Sequence, residues 1–511
     1  MTVTTLFNFS MYRSTCRVAA VTVLSVLVQA CATDALKNAP QAADKPWQPF
    51  VEQDATPQTK PTASKGLDFS VPANSRVSQI RPAPVLLSDH SYSLYELIDI
   101  AQRENPSTRL AWNTARQAAL TQGMVEATFL PIISARVIGG WGHSRSPINL
   151  PFMGETDINV RAQGVVPALA LEWLLFDFGQ RRALAAGAGH LSDAANVLFN
   201  AAHQKVIRDV THSYYQYGLS RERVRITEQS YRNAQQVAQA VQERYQAGVG
   251  TSVESAIATQ HVAQARLRKV TAEGVHTTAY QNVLAAVGLP GNSQIALSTQ
   301  MSRPLEHISA ELADEAIEQA LSQRPDVLAS YSALQAAQEG VKAAEAEFAP
   351  KVFVAGVVAH TRSEFGVNNL PDWQRRSFPS ALMVGLNLPI FDSGLRAARL
   401  KDAQISVSKA EDMFQKLQQD AMREMIAMHS LLRSALAAYQ AAGELEQAAQ
   451  IAYDAALDAY KYGVGTITLA HEASSGLLDA QLARADAHVA ALNAAADLAF
   501  LMGEMTSAPQ P

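Results

Sequence analysis

Two stretches of this chain are copies of one another, which restricts the fold to an assembly of two like halves. Glu96, Ile98, Ala101, Pro106, Ala118, Glu126, Ala127, Phe129 and Pro131 recur as Glu315, Ile317, Ala320, Pro325, Ala337, Glu345, Ala346, Phe348 and Pro350, always 219 residues on. Further along the offset is 215: Phe176-Asp177-Phe178-Gly179 recurs as Phe391-Asp392-Ser393-Gly394, and Gly288 as Gly503. Tyr245 with Gly248-Val249-Gly250-Thr251 likewise recurs as Tyr460 with Gly463-Val464-Gly465-Thr466. Length therefore varies only between Pro131 and Phe176, while the stretch from Phe176 to Thr251 admits no insertion. Helices packed along their length demand this; loops do not.

Each half reads as helix, strand, loop, strand, very long helix, tight turn, helix. Apolar residues at helical spacing run from Leu94 to Thr128, interrupted only by Pro106 and ended by Pro131. Asp177 is placed to cap the next helix, and Gly179 eases the corner from strand to helix. From there to Tyr245 no proline occurs, and Val210, Tyr214, Tyr217, Val224, Tyr231, Ala234, Ala238, Val241 and Tyr245 follow steps of three, four or seven. This predicts coiled-coil-like packing over about 69 residues, roughly 100 Å, then a third helix over Ser252–Val287 of about 36 residues or 54 Å. The first and third helices end to end match the long one, so they stack beside it. The Gly-Val-Gly turns then lie at one extreme and the strands at the other. Alanine-dense segments such as Ala183–Ala202 suit closely approaching helices. The repeats span 91–290 and 311–505, joined by a linker over 291–310 and followed by a tail over 506–511.

The strands carry a membrane pattern. Leu169, Leu171, Trp173 and Leu175 alternate with Ala168, Ala170, Glu172 and Leu174; Val384, Leu386, Leu388 and Ile390 alternate with Met383, Gly385 and Asn387. An apolar face bearing Trp173, against a face of small and polar residues, is what an outer-membrane barrel strand needs, with the equivalent Glu172 and Asn387 facing the lumen. The earlier strands divide the reading. Ile133, Ala135, Val137 and Gly139 alternate with Ser134, Arg136 and Ile138, whereas Val352–Val358 is apolar on both faces, as in a buried soluble strand. Four strands cannot close a barrel, which needs roughly 8, so the chain must oligomerise, and three copies supply 12.

At the N-terminus, Arg13 and Arg17 precede an apolar run from Val18 to Val28 that is too short to span a bilayer, so residues 1–30 read as a secretory signal. Val28-Gln29-Ala30-Cys31 resembles the bacterial lipoprotein signal, which makes Cys31 the acylated first residue; ordinary cleavage after Ala30 also suits the small residues there. Ala32, by the same resemblance, directs sorting to the outer membrane. The prolines of residues 31–90 mark a tether or a surface-wrapping extension and not a domain. With 48% hydrophobic and 17% charged residues and a net charge of −5, the chain is neither disordered nor a nucleic-acid binder driven by positive charge. Its 2 cysteines, Cys16 and Cys31, supply no disulfide framework, Cys-rich zinc site or iron–sulfur cluster.

The signal, the duplicated halves, the Phe-Asp-x-Gly corner twice and the Tyr-x-x-Gly-Val-Gly-Thr turn twice resemble the TolC-like outer-membrane efflux and secretion channels over about Ser91–Met505. That resemblance implies a mostly α fold with a small membrane β part: a homotrimer with a 12-stranded β-barrel in the outer membrane and a 12-helix α-barrel across the periplasm. It implies a passive exit duct, driven by an inner-membrane pump of RND or ABC type through a periplasmic adaptor that docks at the tips, Tyr245, Gly248–Thr251, Tyr460 and Gly463–Thr466. The four glycines are expected to supply positive φ, Thr251 and Thr466 to cap the helices that follow, and Tyr460 and Tyr462 to pack the closed tip. Where relatives place lumen-facing aspartates this chain has His471 and Ser474, with Glu472 and Glu254 the nearest carboxylates. A ring of His471 titrating near pH 6–7 is the expectation there.

Chemistry of other kinds is missing. His471-Glu472-Ala473-Ser474-Ser475 begins like a zinc-protease motif without its second histidine, and Gly248-Val249-Gly250 follows a helix with no lysine after it, unlike a phosphate loop. No catalytic residue, metal site, cofactor or nucleotide site is expected, so transport energy must come from a partner. The competing reading is a periplasmic helical scaffold or adaptor without a pore. The anchor is tested by palmitate labelling: the wild type should incorporate label and Cys31→Ser should not, while an unlabelled wild type removes the lipid and leaves the barrel reading intact.

Overall fold

The computed structural model describes residues 90–150, 154–298, 314–367, 371 and 373–505, with isolated positions before residue 90. The chain divides into Met1–Pro82 and Ala83–Pro511, and every element below belongs to the second unit. The signal segment, Cys31, most of the extension and the tail lie outside the described residues. In chain order the first repeat comprises β1 (Ser91–Tyr92), α1 (Leu94–Glu104), α2 (Pro106–Ala127), β2 (Ile132–Leu150), β3 (Gly154–Phe176), α3 (Gln180–Gln246) and α4 (Ser252–Val287). After β4 (Ala296–Leu297) come α5 (Asp314–Gln323), α6 (Pro325–Ala346), β5 (Lys351–Ala359), β6 (Thr361–Val367), β7 (Trp373–Ser377), β8 (Ser380–Asn387), α7 (Leu395–Lys461) and α8 (Ile467–Leu501).

The long helices match their expected extent, each 67 residues. Three details differ from the sequence reading. The opening helix is two helices, because Pro106 bars helical geometry from Asn105; that residue turns extended, and its Oδ1 accepts from Ser107 N–H at 2.8 Å to cap α2. The strands run longer than their clean alternation, β2 reaching 19 residues and β3 23. β8 stops at Asn387, leaving Leu388 and Ile390 outside any strand. The linker also holds β4, which pairs in parallel with β1, Tyr92 opposite Leu297. This small pair covers the core formed by Leu97 and Ile98 of α1, Val210 of α3, Val283 of α4 and Leu492 of α8.

The long helix α3 lies between two short helices at each level, and α7 lies at the edge beside one. Near the turns the neighbours run α4–α3–α8–α7, and near the strands α2–α3–α6–α7, so the protomer is four helices wide at either level. The strands form one antiparallel sheet in the order β2, β3, β5 with β6, then β8 with β7; β5 and β6 continue one register across His360, and β8 and β7 do so across Phe378 and Pro379.

Strand becomes helix at a corner built twice. Phe178 and Gly179 take φ of +53° and +96°, and Ser393 and Gly394 +58° and +87°. Asp177 is not itself the N-cap, a place taken by Gly179, but reaches past it. Its Oδ1 accepts from Gly179 N–H at 3.3 Å, and its Oδ2 from Arg181 N–H at 3.1 Å and Arg181 Nε at 2.7 Å. Arg181 in turn donates to the Thr128 carbonyl at 2.7 Å and lies 4.9 Å over the Phe129 ring. Asp392, Arg396 and Phe348 repeat the arrangement. Burial works against ionisation of Asp177, but the side-chain and backbone hydrogen bonds from Arg181 and its charge outweigh burial and hold the carboxyl below the usual range. A depressed carboxyl pKa stabilises the fold above its unfolded value and loses that contribution as pH falls through the folded value. The Arg181 and Asp177 side chains are only 9% and 7% exposed. Arg181→Ala strands a buried carboxylate and is expected to cost about 3–5 kcal/mol by thermal denaturation in detergent. Arg396→Ala, beside the more open Asp392, should cost less. Equal small losses at both positions would dismiss the corner as a source of stability.

Candidate functional site

The two turns between long and short helices form one end of the unit. In the first, Gly248 N–H donates to the Tyr245 carbonyl at 3.0 Å and Val249 N–H to the Arg244 carbonyl at 3.0 Å; in the second, Gly463 and Val464 bond Tyr460 and Ala459 at 3.1 and 3.0 Å. These pairs are Schellman closures, which require a left-handed residue just past the helix. Gly248 at φ +76° and Gly463 at +78° supply it. Gly250 and Gly465 have no positive φ, contrary to the expectation for all four glycines. A Cβ would stand 2.9 Å from Tyr245 N at the first and 3.0 Å from Ala459 Cβ at the second, so these glycines serve close approach. Thr251 caps α4 in a reciprocal box with Glu254, and Thr466 Oγ1 accepts from Leu469 N–H at 3.3 Å to cap α8. Each turn thereby presents an exposed valine, Val249 at 66% and Val464 at 84%.

The other members of the expected aperture set lie in or just beyond the turns. Glu254 is engaged by the Thr251 N–H at 2.8 Å. His471 is buried and stacks on His261 of α4 with ring centroids 3.7 Å apart, and burial, aided by His261, pushes its pKa down to about 4. Within the protomer it therefore stays neutral across the pH 6–7 range expected from the sequence. Tyr460 is fully packed, while Tyr462 and Glu472 are exposed. Arg244, not singled out from the sequence, joins the two turns. It lies 5.2 Å over the Tyr460 ring, and its Nη1 donates to the Tyr460 carbonyl at 3.5 Å. Its repeat equivalent is Ala459, and that break in the internal symmetry was the available signal.

At the opposite end, pairing sorts the sheet into two faces. Leu169 stands opposite Val358; Leu171 opposite Gly356 and through it Leu382; Trp173 opposite Val354 and Val384; Val352 opposite Leu386. This face is apolar across β3, β5 and β8. The other carries Glu172 opposite Ala355 and Met383, Ala170 opposite Val357 and Ala381, and Lys351 opposite Asn387. The apolar run Val352–Val358, ambiguous in the sequence, thus places Val352, Val354 and Val358 with the leucines, and Phe353 over Gly385, where a Cβ would meet the ring at 2.3 Å. A bulge between Leu174 and Phe176 makes Leu175 the extra residue.

Comparison with known proteins agrees with this architecture. The family model "Outer membrane efflux protein" matches residues 97–289 and 316–504, one stretch in each repeat. Protein CyaE of Bordetella pertussis is 25% identical over 349 residues, 68% of this chain and 71% of its own length. The toluene efflux pump outer membrane protein TtgC of Pseudomonas putida is 22% identical over 405 residues, 77% of this chain and 79% of its own. The solved structure of the outer-membrane channel OprN superposes with a TM-score of 0.69 at 19% identity, covering 80% of this chain and 89% of that one. The two-fold family match decides against a pore-less scaffold. The chain belongs to the outer membrane efflux protein family: it is an outer-membrane channel that extends into the periplasm, and not an enzyme.

Proposed function

We propose that the chain acts as a homotrimer, a passive duct whose barrel is completed by three copies and whose tips receive a periplasmic adaptor. The observation that carries this reading is the open sheet. Among the described residues β2 pairs only with β3, and β8 with β7 only with β5 and β6, so both edges of the sheet lack a partner there. Unpaired backbone groups are untenable in hydrocarbon, and the β2 edge of one copy can meet the β7–β8 edge of the next. Head-to-tail pairing of four strands per copy closes at 12 with three copies. The helices support the same closure. Leu267 and Val270 on α4, Leu110 and Leu120 on α2, and Ile405 and Ile451 on α7 leave apolar surface exposed on the outermost helices. In such a barrel the leucine face meets lipid, and Glu172 and Asn387 face the lumen.

TtgC is by its description part of a toluene efflux pump, and a pump partner of RND or ABC type reached through an adaptor suits this chain equally. The exposed valines, held out on closed turns at the far end from the sheet, are apolar knobs of the kind a groove accepts. Cys31 remains the proposed lipid anchor. Leu386 and Asn387 occupy the last rungs of β8, so barrel orientation is better tested higher. Leu382→Arg should cost roughly 2–4 kcal/mol and depress trimer yield, whereas Met383→Arg, on the Glu172 face of the sheet, should leave it near wild type. Equal tolerance at both would remove the lipid-facing assignment. At the tips, Val249→Asp with Val464→Asp leaves the glycine turns untouched and is expected to lower export about tenfold with trimer yield unchanged. Unimpaired export in that variant would take docking away from the turns.

A further inference from the structure

The apolar face of the sheet does not end in a bare rim. From Leu169 the same face of β3 continues through Pro167, Val165 and Gln163 to Arg161, and β3 keeps one register with β2 and β6 over this stretch. Val165 stands opposite Arg362 of β6, and Arg362 stands opposite Arg376 of β7. Both arginines are exposed. Like charges directly opposite each other on neighbouring strands repel, so this rung is unfavourable without an anion. Among the described residues no carboxylate pairs with either arginine. Glu364, one rung outward, accepts from Gln163 Nε2 at 2.7 Å and from Gln374 Nε2 at 2.8 Å, which engages both its oxygens with neutral amides. Asp157 accepts from Arg145 Nε at 3.1 Å. The chain as a whole is acidic, with a net charge of −5, so the pair is not the by-product of a basic composition.

The depth of the rung identifies the anion. Trp173 marks the end of the apolar band nearest the helices, and Trp141, opposite Gln163 and 85% exposed, marks the other. Phe378, 75% exposed with its ring 4.4 Å from that of His360, lies one rung inward of the arginines. From Trp173 to Val165 the strand rises about 26 Å, or about 20 Å of membrane depth at a tilt near 40°, against an apolar band about 25 Å tall. Arginines at that height, between aromatic residues, extend their guanidinium groups into the headgroup layer. A planar guanidinium matches a phosphate through two parallel N–H donors, and two opposed across a strand pair can share one.

We propose that Arg362 and Arg376 form a site on the outward side of the sheet for the phosphate of an outer-leaflet lipid headgroup. This rests on the lipid-facing assignment of the leucine face. The bound headgroup neutralises the rung and ties β6 to β7 near the outer rim.

The test uses the full-length protein in nanodiscs with bisphosphorylated lipid A as probe, and native mass spectrometry of lipid retained per protomer. Arg362→Gln and Arg376→Gln should each weaken retention about fivefold, and the double variant about 25-fold. The double lysine variant, which keeps the charge, should retain most of it, and Arg423→Gln on α7 should change nothing. Dephosphorylated lipid A should not be retained. Unchanged retention in the double glutamine variant overturns the site, as does displacement of the lipid by millimolar inorganic phosphate, which would make it a site for the free anion. A nitroxide at Leu382 separates the two readings. Relaxation by a water-soluble nickel chelate there rejects the lipid-facing face itself, whereas relaxation by oxygen with unchanged lipid retention rejects only the arginine site.

Discussion

The structure hangs on the corner where a strand suited to hydrocarbon becomes a helix suited to water. Strand and helix differ in rise and side-chain period, so their junction must fix direction and rotation together. Two left-handed residues make the turn, and the Asp177–Arg181 pair locks it, the arginine also reaching Thr128 and Phe129 at the end of α2. One buried ion pair thereby connects β3, α3 and the entry to β2. Its counterpart at Asp392 and Arg396 does the same in the second repeat, in a more open setting. With both corners set, two 67-residue helices start at defined angles and carry their turns to the far end.

The protomer is otherwise an unfinished object. Among the described residues its sheet has two open edges, and its outermost helices expose apolar side chains. Duplication explains how this stays consistent. Each repeat contributes two strands and the same succession of helices, so the free β2 edge corresponds to the β5–β6 edge that β3 already meets, and the further copies of the proposed trimer extend the pattern without a new kind of contact. In the proposed trimer, closure of the ring removes edges that a lipid-facing sheet cannot keep.

The two repeats are alike in backbone and unlike in the side chains that decide behaviour. Both turns close with the same hydrogen bonds, yet only the first supplies Arg244, which bridges to the second, and only the first has the reciprocal Thr251–Glu254 box. His261 and His471 add a contact between α4 and α8 with no equivalent elsewhere in the pair. Departures from internal symmetry are therefore where the tip acquires its own chemistry.

What the sequence determined by itself was whatever rests on period and punctuation. The offsets of 219 and 215, the proline-free stretches, the glycine turns and the alternation around Trp173 are local patterns, and the long helices, Ser252–Val287 and the two-faced sheet follow from them. The corner was half legible: Asp177 and Gly179 repeat, and so do Arg181 and Arg396, but only packing reveals that the arginine closes the corner on Phe129. Tertiary structure alone decided which face Val352–Val358 joins, because period two cannot orient a strand that is apolar on both sides until cross-strand partners fix the register. It alone decided that His471 is a buried neutral ring, since burial and a stacked neighbour from another helix lie outside any local pattern. The meeting of Arg362 with Arg376 belongs to the same class: their positions in the chain are ordinary, and only pairing of β6 with β7 sets two positive charges side by side.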